Sequence, residues 1–66
     1  MIAIQLNGEE RTVASATVEE LLKELQLYGK KVAVELNRRI VHRESYQLTP
    51  LIAGDSVEIV NFVGGG

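Results

Sequence analysis

The sequence predicts an α+β domain, a sheet of about four to five strands packed on one helix. Three observations carry this. Segments near both ends alternate apolar and polar residues with period two, the signature of half-buried strands. A single stretch, from Thr17 onward, carries an apolar stripe at helical spacing. Each predicted element offers one apolar face, which suits two layers around one core.

The first strand is Met1 to Leu6, where Ile2, Ile4 and Leu6 alternate with polar or small residues. Asn7-Gly8 follows, a strong short hairpin signal, because both central residues of a type I′ turn need positive φ. Glu9 to Ala14 is the returning strand, with Arg11 and Val13 on one face. Thr17-Val18-Glu19-Glu20 reads as a capping box, Thr17 being the N-cap and Glu20 reaching back to its amide. Val18, Leu21, Leu22 and Leu25 form the buried stripe, and Gly29 is the expected stop after a helix ending near Tyr28. Lys31 to Leu36 is a third strand with Val32, Val34 and Leu36 inward. Asn37-Arg38-Arg39 turns the chain into a short fourth strand, Ile40-Val41-His42. Arg43 to Ile52 has no clean period, and Thr49-Pro50 disfavours helix at Thr49. A loop with one 3₁₀ turn, pinned by Tyr46, Leu48 and Leu51, is expected there. Gly54-Asp55 leads into the last strand, Ser56 to Val63. The expected division is a folded domain over residues 1–63 and a flexible glycine tail over 64–66.

Composition sets bounds. A chain of 66 residues makes one domain and buries only about 60% of its unfolded surface, so its stability margin is small. It has no cysteine, so neither a disulfide nor a thiol nucleophile is available, and apolar packing must hold it together at 45% hydrophobic residues. No basic leader or continuous apolar stretch follows Met1, and no segment approaches the ~20 apolar residues that span a bilayer. The expectation is a soluble, cytoplasmic protein without a membrane partner. The net charge of −2 argues against nucleic acid.

Residues for intrinsic catalysis are scarce. His42 is the single histidine and lacks a second ligand at metal spacing. Ser15, Ser45 and Ser56 stand in no nucleophile motif, and Glu19 and Glu20 are explained by helix capping. No glycine-rich loop cradles a phosphate. Arg38, Arg39, His42 and Arg43 form a basic run that reads either as a solvated turn or as a site for an acidic partner.

The C-terminal stretch Val60-Asn61-Phe62-Val63-Gly64-Gly65-Gly66 is more informative. If Val57 and Ile59 face the helix, Val60 and Phe62 face water just before the glycines and offer a docking surface. The competing arrangement buries Phe62 under a bulge or crossing loop. The glycines themselves read either as a frayed end or as a carrier of the Gly66 carboxylate.

The tail Phe62-Val63-Gly64-Gly65-Gly66 resembles that of the thiamine-biosynthesis sulfur carrier proteins, small members of the ubiquitin-like β-grasp group. Ala33-Val34-Glu35-Leu36-Asn37, Ile40-Val41, Arg43 and Gly54-Asp55-Ser56-Val57-Glu58-Ile59-Val60 extend the resemblance through most of the chain. His42 stands where that family suggests proline, and Arg38-Arg39 replaces a glycine-containing turn. The resemblance implies a mixed β-grasp sheet and a carrier that is not itself an enzyme. A partner adenylating (E1-like) enzyme would use ATP and Mg²⁺ to convert the Gly66 carboxylate to an acyl-adenylate. A persulfide donor, such as a cysteine desulfurase, would turn this into a thiocarboxylate. A thiazole synthase would then take the sulfur. The chain itself would bind no cofactor and no metal. Val63, Gly64 and Gly65 would be read by the partner's channel, and Val60 and Phe62 would dock the body. Three glycines and Val63 extend about 13 Å at full stretch, and without Cβ atoms the glycines can thread a channel closed to other residues.

Other readings compete with this one. A sulfur carrier for molybdopterin or tRNA thiolation shares the diglycine. A ubiquitin-like modifier would end in an isopeptide bond to lysine, and a non-covalent β-grasp interaction module would make the glycines incidental.

Overall fold

The computed structural model describes residues 1–62. Within them the chain forms β1 (Ile2–Leu6), β2 (Glu9–Val13), α1 (Val18–Glu24), β3 (Val32–Leu36), β4 (Arg39–Val41), a 3₁₀ helix (Arg43–Leu48) and β5 (Ser56–Asn61). The sheet order is β2-β1-β5-β3-β4, with β1 parallel to β5 and the other neighbours antiparallel. This is the expected mixed sheet on one helix, with the last strand at its centre. The expected boundary after residue 63 lies outside the described residues.

The hairpin signal is realised. Asn7 and Gly8 adopt φ of 50° and 84°, and Leu6 pairs with Glu9 across the turn. Asn37 and Arg38 repeat this geometry at φ 51° and 70°. A two-residue turn suffices there, so Arg39 already pairs with Leu36, and the fourth strand runs one residue earlier than expected.

The helix differs from expectation at both ends. Thr17 caps it, its hydroxyl accepting the Glu20 amide at 3.2 Å. The Glu20 carboxylate takes the Ala16 amide at 2.8 Å rather than that of Thr17. The C-terminus falls at Glu24, short of the expected end near Tyr28. Gln26 takes φ 62°, its amide donates to Lys23 C=O, and the Leu27 amide donates to Leu22 C=O at 2.7 Å. These two bonds make a Schellman stop with glutamine in the left-handed position that glycine favours. Periodicity alone carried the reading past it, and Gly29 serves a later turn. On the exposed side Glu19 takes Lys23 at 3.1 Å and, chiefly through that bond, holds its ammonium pKa above the ordinary value.

The core lies between α1 and one sheet face and comprises Ile4, Leu6, Val13, Val18, Leu21, Leu22, Val34, Tyr46, Leu51, Val57 and Ile59. Leu25, expected in it, sits at the helix end and is half-buried against its margin. Tyr46 and Leu51 pin the connection before β5 as expected, but Leu48 does not, being 81% exposed. In a 3₁₀ helix of about three residues per turn, a residue two places past the buried Tyr46 lies on another side.

Candidate functional site

The central strand builds the site. In β5 Val57 and Ile59 face the helix, so period two turns Glu58, Val60 and the following Phe62 to the opposite face. That face carries no helix, and Val60 and Phe62 are 55% and 56% exposed. The exposed arrangement expected for them therefore holds, and no bulge or loop covers Phe62.

Neighbouring strands complete the surface. Val60 pairs with Ala33 on β3, and the Phe62 amide donates to Lys31 C=O at 2.9 Å. One step back, Glu58 pairs with Glu35, which in turn pairs with Ile40 on the edge strand. The result is an apolar patch of Ala33, Val60 and Phe62 beside two directly opposed carboxylates. Like charges in that position destabilise a sheet slightly. The acidic pair was not read as functional from sequence, because it emerges only when β3 and β5 are in register.

The last strand reaches this position under restraint from both sides. β3 pairs with it from Leu36↔Val57 to Val32↔Asn61. On the other side β1 pairs only at Gln5↔Ser56 and Leu6↔Val57. Phe62 is the last described residue, and Val63, Gly64, Gly65 and Gly66, singled out for tail recognition and covalent attachment, lie outside the described residues.

The basic run does not form one cluster. β4 separates Arg38 and Arg39, at its turn end, from His42 and Arg43 beyond its other end. Arg43 shares a small cavity of about 100 Å³ with Lys30, Tyr28 and Tyr46. Among the described residues no group of three or more His, Cys, Asp or Glu side chains could hold a metal ion. No described helix is long and apolar enough to cross a membrane.

Comparison with known proteins agrees with this geometry. The ThiS family model matches residues 4–66. The chain is 42% identical over 65 residues to the sulfur carrier protein ThiS of Bacillus subtilis, covering 96% of this chain and 98% of that one. It is 53% identical over 62 residues to a thiazole synthase of Paramagnetospirillum magneticum, covering 92% of this chain and 19% of that protein. The chain thus spans about one fifth of the length of the thiazole synthases it matches. The crystal structure of a thiamine biosynthesis protein (ThiS) from Geobacter metallireducens superposes with a TM-score of 0.81 at 38% identity, covering 98% of this chain and 100% of that one. With a five-stranded mixed sheet on one helix, and a match that runs from β1 through residue 66, this β-grasp chain belongs to the ThiS family.

Proposed function

We propose that this protein is a cytoplasmic sulfur carrier for the thiazole branch of thiamine biosynthesis, a co-substrate of partner enzymes rather than a catalyst. The observation that carries the reading is the exposed Val60–Phe62 surface on the strand that leads directly into Gly64-Gly65-Gly66. Its family membership and its likeness to a protein named sulfur carrier support it.

The chemistry follows from what a carboxylate lacks. It is a poor electrophile until one oxygen becomes a good leaving group. An adenylating enzyme supplies this by transferring AMP from ATP, with Mg²⁺, to the Gly66 carboxylate and releasing pyrophosphate. The terminal sulfur of a donor persulfide then attacks the acyl carbon and AMP leaves. A second thiol attacks the donor's own sulfur, forming a disulfide with it, and the thiocarboxylate leaves. The thiazole synthases that match this chain support an enzyme of that kind as the sulfur acceptor. In this scheme the body docks through Val60, Phe62 and Ala33, with Glu35 and Glu58 facing a partner cation. Val63, Gly64 and Gly65 then pass the carboxylate into the partner's active site.

Deleting Gly66 tests the reading. The carboxylate retreats by about 3.3 Å, and a misplacement near 1 Å already costs about 10²-fold in rate. The shortened protein should fold normally yet accept neither AMP nor sulfur from a cognate adenylating enzyme and a persulfide donor. Intact mass should show the full chain gaining the difference between sulfur and oxygen. Normal thiocarboxylate formation without Gly66 would refute the assignment.

A further inference from the structure

The turn residue Asn7 does more than reverse the chain. Its backbone amide donates to Val57 C=O at 2.9 Å, the second rung after Gln5 N–H to Asp55 C=O at 2.9 Å. In a parallel ladder the next rung would join the Ile59 amide to a β1 carbonyl, and the Ile59 carbonyl to an amide two residues further on. The backbone cannot supply it, because Asn7 and Gly8 turn away at positive φ and Glu9 returns to pair with Leu6. The Asn7 side chain supplies it instead. Its Oδ1 accepts the Ile59 amide at 2.8 Å, and its Nδ2 donates to the Ile59 carbonyl at 3.3 Å. A carboxamide has the same donor and acceptor as a peptide group, so it extends the ladder by one rung after the strand has left.

This rung falls at a sensitive place. Without it, β5 would lose its β1-side partner after Val57, about 6.6 Å of strand earlier. Ile59, Val60, Asn61 and Phe62 would then hang from β3 alone, which still pairs Val60 with Ala33 and takes the Phe62 amide on Lys31 C=O, so the docking face is kept. Val60 and Phe62 are the docking residues of the proposed carrier, and Gly66 follows Phe62 by four residues. The direction in which β5 leaves the sheet therefore sets the point from which the chain beyond Phe62 starts.

Resting on the carrier reading, we infer that Asn7 is a positioning residue for the C-terminal tail. Its carboxamide holds β5 at Ile59 and so fixes the end of the strand from which the tail departs. It touches neither partner nor nucleotide in this role, and its loss should appear in turnover rather than in docking.

Asn7→Gly removes the side chain and keeps a residue suited to the left-handed turn. Asn7→Asp keeps the shape and the acceptor for the Ile59 amide, but at neutral pH has no donor for the carbonyl. Both are assayed for adenylation by a cognate enzyme with ATP, with amide hydrogen exchange as the second readout. For Asn7→Gly, kcat should fall about tenfold or more, as expected for a misaimed reacting group, while KM stays at the wild-type value. The Ile59 amide should exchange faster while those of Ile4 and Val34 do not. Asn7→Asp should fall between, and it decides the matter alone if Asn7→Gly does not fold cooperatively. Wild-type kcat in either variant would overturn the inference. So would a raised KM at unchanged kcat, which would make Asn7 a contact of the partner. Failure of the wild-type chain to be adenylated would overturn the carrier reading as well, and that result is distinct from an active wild type with an equally active variant.

Discussion

Asn37 and Asp55, which flank opposite ends of the β3–β5 connection, bond side chain to side chain at 3.1 Å. The same Asn37 carboxamide accepts the Ser56 amide at 2.9 Å, and the other Asp55 oxygen accepts the Ile52 amide at 2.8 Å. Asp55 is only 7% exposed, so its carboxylate depends on these donors. Together they tie the β3–β4 turn to the start of the central strand. Asp55→Ala orphans both donors and should cost about 2–3 kcal/mol, whereas Asp55→Asn keeps an acceptor and should cost less. Urea unfolding of the two variants checks the order, and equal midpoints would show that the carboxylate is dispensable.

The core predicts a contrast within one helix. Leu22 is 1% exposed and Leu25 half-buried. Leu22→Ala should cost about 2–5 kcal/mol, a large share of the total for a domain whose stability is of order 0.1 kcal/mol per residue. Leu25→Ala should cost clearly less, since solvent already reaches the site and little cavity forms. Thermal unfolding that ranked Leu25 above Leu22 would contradict the helix facing.

Of the four left-handed positions that carry a Cβ, Gln26 at φ 62° and Arg38 at φ 70° are the two not held by asparagine. The left-handed conformation costs such residues about 1–2 kcal/mol, partly offset by glycine's greater freedom when unfolded. Gln26→Gly and Arg38→Gly should each raise the unfolding free energy by about 0.5–1 kcal/mol. A loss at either site would mean that its side chain contributes packing that outweighs the backbone strain.

Phe62 is 56% exposed, so Phe62→Ser should change stability by no more than about 0.5 kcal/mol. Its effect should fall on docking, as a raised KM for adenylation with kcat largely kept. Loss of cooperative unfolding would instead place the ring in the core.

Much of this molecule is determined by local pattern. Alternation over Ile2, Ile4 and Leu6 and over Val32, Val34 and Leu36 defines strands and their buried faces, because strand side chains repeat every two residues. Asn7-Gly8 and the Thr17 cap depend only on neighbouring backbone, and so does the outward turn of Val60 and Phe62 once Ile59 is buried. The features legible only in three dimensions join residues distant in sequence. Helix termination at Gln26 rests on a compromise that propensity does not show, a side chain accepting positive φ so that the Leu27 amide can close on the Leu22 carbonyl. The exposure of Leu48 follows from how the 3₁₀ helix is rotated by the burial of Tyr46. The opposition of Glu35 and Glu58 needs strand register. The rung from Asn7 to Ile59 spans a sequence separation of 52 and exists only because β5 inserts between β1 and β3. Local rules specify how each segment can fold, but the pairing of distant segments is a choice made by the packing of the whole core, and that choice placed the last strand at the centre with Val60 and Phe62 exposed.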